Sequence, residues 1–380
     1  MSLNLQQKNQ SLIIMKKVLN LVLCLFVGLM AMAQSPELTV EQHLEDYDYA
    51  VKYVEDNYSG FPDKVVDSNR ADYESMKTRL RDQVKQGERK GWNAFAEYTA
   101  WFNDNHLTIQ AFHYDDKGNR IGWTEHYNVR KKRNHYESLM EYKPMPVACK
   151  VTDKTFLIRF PSCGGNPDMK WIKNSIKKFK KSHCENLVID IRGNGGGSDR
   201  NWNPYRKLLY DHEALNPTAE YRISPVNLAY IKKIGWPDAP RIKKLSLQNP
   251  DSVFVGGGYN LVRYRKVDKS VKKAAIIIDN KVASSGESMV QAIKTCSDRV
   301  TVYGRDNTLG CLDYANVAVL PLKHSDICFQ MPMSRTFNIA EYGIDATGIA
   351  PDVRIDLPLP ARLTDNIDEW VIWVAEQLEK

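Results

Sequence analysis

Two short stretches hold groups that could do covalent chemistry. In "NKVASSGESM" (280–289), Ser284 stands between an apolar run and a helical pattern, with Glu287 three positions later. That spacing makes a capping box, in which the hydroxyl accepts from the third amide of the helix and the carboxylate reaches back to the cap amide. The same placement, strand then tight turn then helix, also presents a hydroxyl at a sheet edge as a nucleophile. In "NLVIDIRGNGGGS" (186–198), Gly193, Gly195, Gly196 and Gly197 directly follow an apolar strand. Backbone N–H groups there can approach a substrate closely and face an anion. A plain flexible turn is the other reading. A nucleotide loop is not supported, because no Lys-Ser/Thr follows the glycines and Ser198 breaks G-x-G-x-x-G. A hydroxyl beside two amide-bearing turns suits acyl transfer, whose tetrahedral oxyanion needs backbone donors. Such a site needs a base, and His106 in "FNDNHLTI" has a side chain whose ordinary pKa fits proton exchange near neutrality. Alternatively it is a surface residue at a helix-to-strand junction.

The surrounding elements must bring these residues together. From Glu41 to Phe102 apolar residues recur with helical period: Leu44, Tyr47, Val51, Val54; then Tyr73, Met76, Leu80, Val84; then Trp92, Phe95, Phe102. This predicts three helices. After His106, alternation of Leu107, Ile109 and Ala111 with Thr108 and Gln110 predicts a strand. Beyond about residue 145, strands ("TFLIRF", "NLVIDI", "AAIIID", "VTVYG") alternate with helices, which implies an α/β core with parallel strands. Residues 210–267 read as an insertion with one helix. Asp365–Glu379 reads as an amphipathic helix facing inward with Ile367, Trp370, Val371, Val374 and Leu378.

The 380 residues, 43% hydrophobic, suffice for one large domain or two ordinary ones. Met15-Lys16-Lys17, the apolar run Val18–Met30 and Ala31-Met32-Ala33 form a secretory signal over 1–33, with 1–14 an upstream extension. The run is shorter than the about 20 residues of a bilayer span, so no membrane span is expected and the mature protein is periplasmic or extracellular. The leader holds three lysines and no acid, so the net charge falls from +7 to +4 on its removal. That excess does not point to nucleic acid, and the densest basic run, Lys173–Lys181, reads as a solvated helix face. Six cysteines remain, with no C-x-x-C pair to suggest zinc; their pairing is not deducible and no metal or cofactor is expected.

"VIDIRGNGGG" and "KVASSGES" resemble the D-L-R-x-N-x-G-G and T-A-S-x-x-E signatures of the carboxyl-terminal processing (tail-specific) serine protease family, whose related branch includes the tricorn core. The resemblance covers roughly Asn105 to Asp352. It implies a crotonase/ClpP-like α/β fold, Ser284 as nucleophile, and an oxyanion hole from the amides of Ser285 and of Gly195 or Gly196, with Gly197 also open. The processing branch takes its base from a Lys in a T-F-G-K element; "NTLGCLDY" keeps Thr308 and Gly310 but has Cys311 in that place. The tricorn-like branch uses a His in an L-x-D-x-H-T element, which "FNDNHLTI" resembles, so His106 is the implied base, although Asn105 replaces the preceding Ser. "DATGIAPDVRID" resembles the family's E-x-x-G-V-x-P-D segment and puts Asp345 at the acid that orients the imidazole, with Glu341 as a rival. There is no room for an inserted PDZ domain.

The expectation is therefore an exported serine peptidase acting on peptide or protein substrates, with an N-terminal helical cap over 34–140 and a crotonase-like protease core over 141–380. Its catalytic set is Ser284, His106 and Asp345, and the sequence leaves oligomerisation open. The alternative is a catalytically degenerate member of the same fold that binds apolar ligands or peptides. An acyl-CoA enzyme rests on fold analogy alone.

Overall fold

Thr39 opens the first helix, α1 (Val40–Asn57), through a capping box closed by Gln42. This computed structural model describes residues 37–114, 120–123, 145–360 and 367–380; the expected leader at 1–33 lies outside them. A short α2 (Phe61–Lys64), α3 (Arg70–Lys85) and α4 (Gly91–Trp101) follow, then β1 (Thr108–Tyr114) and β2 (Arg120–Trp123). Strand and helix then alternate through β3 (Val147–Lys150), β4 (Thr155–Arg159), α5 (Met169–Ser182), β5 (Asn186–Asp190) and α6 (Asp199–Leu209). On α5, Ile172, Ser175 and Phe179 are buried while Lys173, Lys177 and Lys178 are exposed, so the basic run is a solvated face.

Residues 210–267 differ from their sequence reading. They hold two helices, α7 (Pro225–Lys233) and α8 (Ala239–Gln248), among four short strands: β6 (Ala214–Pro217), β7 (Ala219–Arg222), β8 (Phe254–Gly256) and β9 (Tyr259–Val262). Each strand is four residues or fewer, too short to show a period, and α8 buries only Ile242. The chain ends with β10 (Lys273–Ile278), α9 (Ser285–Lys294), β11 (Val300–Gly304), β12 (Tyr314–Pro321), β13 (Ile327–Thr336), α10 (Ile339–Tyr342), β14 (Val353–Arg354) and α11 (Glu369–Glu379).

One sheet runs β14-β11-β10-β5-β4-β3, parallel except for the β3–β4 pair. Its inner strands β4, β5 and β10 are buried on both faces, as a parallel sheet with two covered sides requires. Ile276 and Ile278 pack with Phe179, Trp202 and Met289 of the helices on one side; Ala275 and Ile277 pack with Trp370, Val371 and Val374 of α11 on the other. The second sheet runs β2-β1-β13-β7-β8, with β12 on the remaining edge of β13. Tyr47, Tyr73, Leu80 and Phe95 of the N-terminal helices share its core with Phe329, Met331 and Met333 of β13. Those helices are therefore integral to the second sheet, since strand residues from the far end of the chain complete their core.

Beneath the glycine turn lies a buried ionic network. Asp190 accepts from Arg159 Nε at 2.8 Å and from Arg192 Nη2 at 2.7 Å, and the same Arg192 nitrogen donates to Asp368 at 2.7 Å. Asp368 also caps α11 through the Val371 amide, so the last helix is tied to the strand that carries the turn.

Candidate active site

β5 and β10 are parallel neighbours, with Asp190 level with Ile277, so the turns that follow them leave the sheet side by side. They are stitched together: the Ile191 amide donates to Ile277 O at 3.0 Å, the Gly193 amide to Asp279 Oδ1 at 3.0 Å, and the Ala283 amide to Asn194 O at 3.0 Å. Asn194, fully buried, braces the glycine turn by accepting from the Gly196 amide at 3.0 Å and donating to Phe160 O at 2.9 Å. The resembled signature includes an Asn at this position, but nothing local in the sequence says which groups it holds.

Ser284 heads α9 at φ 53°, ψ −121°, a conformation that costs a non-glycine residue on the order of 1–3 kcal/mol and is held only by its surroundings. Glu287 supplies that restraint. Its buried carboxylate accepts from the Ser284 amide at 3.0 Å, Thr308 Oγ1 at 2.6 Å, the Gly310 amide at 2.6 Å and the Cys311 amide at 2.8 Å. Burial raises its pKa, against the pull of those donors. Glu287 thus does more than close the predicted capping box: it fixes the Ser284 turn to the 308–311 loop.

Gly196, at φ +105°, lies so close that an added Cβ would sit 2.8 Å from Ser284 Cβ and 3.1 Å from the Ser285 amide. Gly196→Ala must therefore push the glycine turn off the serine. We expect about a 100-fold lower kcat on a peptide substrate, the scale of a 1 Å misplacement; a kcat within threefold of wild type in a folded variant would refute this contact's importance.

His106 reaches the site from the end of the helical region. Its backbone amide donates to Asp104 Oδ1 at 2.8 Å, and its Nδ1 lies 2.5 Å from Tyr314 O. A carbonyl can only accept, so Nδ1 carries the proton and Nε2 keeps the lone pair. His106, Ser284, Ser285 and Gly195 line one cleft of about 720 Å³, together with Asp199 and Asp313.

The other assigned residues are placed differently. Asp345 is paired with Lys64 of α2, whose ammonium also lies 4.8 Å over the Tyr314 ring. Burial and the neighbouring Asp104 charge raise the Asp345 pKa to about 7. The imidazole is held by the Tyr314 carbonyl and not by Asp345, a carboxylate one methylene shorter than the Glu of the resembled motif. Glu341 is exposed on α10 and accepts from Asn338 Nδ2 at 2.6 Å. Of the oxyanion candidates, the Gly196 amide is already committed to Asn194 Oδ1. Gly195, whose missing Cβ would meet nothing within 4 Å, opens into the cleft, as does Ser285 at the first turn of α9. The Tyr314 carbonyl could not have been found from sequence, since any residue offers one.

Asp211, His212 and Asp298 bring one ligand atom each within 4.8 Å, the arrangement of a metal group. However, Asp211 is already used by Ser297 Oγ at 3.1 Å and the Asp298 amide at 2.9 Å, which makes it the brace of the turn before β11. None of the three lines the cleft.

A family model described as Peptidase family S41 matches residues 154–355, over half the chain. No curated protein matches the sequence. Among solved structures, a protein assigned as a peptidase from Parabacteroides merdae is similar at TM-score 0.59 and 14% identity, over 88% of this chain and 96% of that one. Mature CPAF, solved in complex with lactacystin, is similar at TM-score 0.58 and 11% identity, over 90% of this chain and 97% of that one. At such identities these likenesses establish the fold, while the site rests on the geometry above.

Proposed function

The chain belongs to peptidase family S41, and from that premise we propose that the cleft hydrolyses peptide bonds with Ser284 as nucleophile. Ser284 Oγ attacks the substrate carbonyl while His106 Nε2 takes its proton, and the imidazolium then protonates the leaving amine. The Tyr314 carbonyl keeps the proton on Nδ1 and stabilises the ring when it is charged. It does so less strongly than a carboxylate, because it is a dipole and not a full charge. The amides of Gly195 and Ser285 stabilise the oxyanion. Water repeats the sequence on the acyl-enzyme. Asp345, paired with Lys64, serves the packing around Tyr314.

The observation that carries this reading is that His106, Ser284, Ser285 and Gly195, far apart in the chain, border one cleft. A serine-directed fluorophosphonate tests it. The intact protein should gain one covalent adduct, on the peptide containing Ser284, and His106→Ala should slow labelling by about 100-fold or more, the scale of general-base assistance. A folded protein that remains unlabelled, or labels at another serine, would remove Ser284 from this role.

A further inference from the structure

We propose that Asp313 is the specificity residue of the cleft and receives the ammonium of a substrate lysine side chain, an inference that rests on the peptidase reading above. Asp313 is only 1% exposed and lines the cleft with Ser284 and His106. Its Oδ2 is pinned by the Ile344 amide at 2.6 Å and by the Asp345 amide. Its Oδ1 has no hydrogen-bond partner among the described residues. A buried carboxylate with one oxygen held and the other bare calls for a donor, and the protein's own cations nearby are taken. Lys64 is bound to Asp345, and Arg335 is held between Asp63 and Glu220 while stacking 3.8 Å from the Phe254 ring.

Arg335 also lines the cleft but is offset by its two carboxylates, and the other fixed charge on the lining is negative. Asp199, exposed on the lining, accepts from Ser285 Oγ at 2.6 Å and Ser288 Oγ at 3.0 Å. Glu287 is buried behind the nucleophile turn. Carboxylates on a partly desolvated cleft concentrate a negative potential, which attracts a cationic side chain and repels an acidic one. Trp236, Leu312 and Val317 are also on the lining and give apolar surface for a methylene stem that ends in a charge. Burial raises the Asp313 pKa to about 6, and an ammonium seated on Oδ1 would restore the charged form.

The geometry also separates lysine from arginine. A guanidinium fork makes its best contact with both oxygens of a carboxylate, whereas an ammonium acts as a point charge. With Oδ2 occupied by two amides, only the buried, unpartnered Oδ1 is left for a donor, which is a single-point contact.

The test is a set of fluorogenic peptides that differ in one residue, Lys, Arg, norleucine or Glu, placed in turn on either side of the scissile bond. At one of these positions, Lys should exceed norleucine in kcat/KM by about 100-fold, because a site built for a polar group rejects the analogue that lacks it. Arg should fall between them and Glu below both. Asp313→Asn keeps an acceptor for the two amides and should bring the Lys-to-norleucine ratio to about threefold or less. Equal rates for Lys and norleucine in the wild type would overturn the proposal. So would an Asp313→Asn variant that loses kcat on every peptide alike with the ratio kept, which would move Asp313 to the imidazole. Binding of the same peptides to Ser284→Ala protein reads the seat without turnover. Lys-selective binding to this variant, together with a wild type that cleaves none of the peptides, would sink the peptidase reading and keep the seat, whereas unselective binding would sink the seat.

Discussion

Replacing Ser284 with alanine is expected to lower kcat/KM for peptide hydrolysis by about ten-thousandfold or more, the loss seen when one member of a nucleophile–base unit is removed. The change removes one oxygen and nothing else. The Cβ that Gly196 packs against stays, and so does the Ser284 amide that donates to Glu287. The strained backbone is held mainly by those contacts, and loss of the hydroxyl's share of the capping box costs about 1 kcal/mol, so the urea midpoint should fall only modestly. Any residual rate would come from the open amides of Gly195 and Ser285, which bind the oxyanion whether the attacker is a side chain or water. Steady-state kinetics on one fluorogenic peptide, beside a denaturation curve, checks both halves. A variant that keeps more than about 1% of wild-type kcat/KM would show that the nucleophile is elsewhere.

The largest stability effect is expected at Asp190. Its carboxylate, fully buried, faces Arg159 and Arg192, which are 1% and 3% exposed, and Asp368 completes the set. Burial alone would raise the Asp190 pKa, but the two guanidiniums outweigh it and hold the group well below the usual carboxylate range. Asp190→Asn removes one of two negative charges and leaves two buried arginines sharing Asp368. Breaking a buried pair in this way costs about 3–5 kcal/mol. The sign with pH follows. A carboxylate whose pKa is depressed by folding contributes stability that is complete above its unfolded pKa of about 3.9 and is lost as pH falls below it. Urea unfolding at pH 7 should show the full loss in the variant, and wild type and variant should converge as the pH drops through 4 and below. Equal stability at pH 7 would mean that the network is solvated in a way its burial denies.

The sequence made the α/β core readable because its strands are buried on both sides and its helices have one apolar face; the runs at 186–191 and 274–279 need no partner to be recognised. The Ser284 turn and the glycine turn were readable as structure because a strand-to-helix turn must satisfy tight local constraints, and local constraints leave a local pattern. What failed was whatever depends on distance across the fold. Asp345 was assigned from a motif, but its partner is decided by α2, which delivers Lys64 to it from the other end of the chain. Asp313 and Asn194 are single polar residues in loops, and Asp199 is one at the start of α6. Their importance comes from an orphaned oxygen, a shared cleft and a buried brace, none of which has a periodicity. Residues 210–267 were misread for the opposite reason: their elements are too short, and α8 too exposed, to impose a pattern at all.

The tie between Asp368 and Arg192 makes the glycine turn answer to a helix that starts 177 positions further along. With α11 lifted from the sheet, two guanidiniums would face a single buried acid beside that turn, so the order of the turn's amides depends on α11 staying docked.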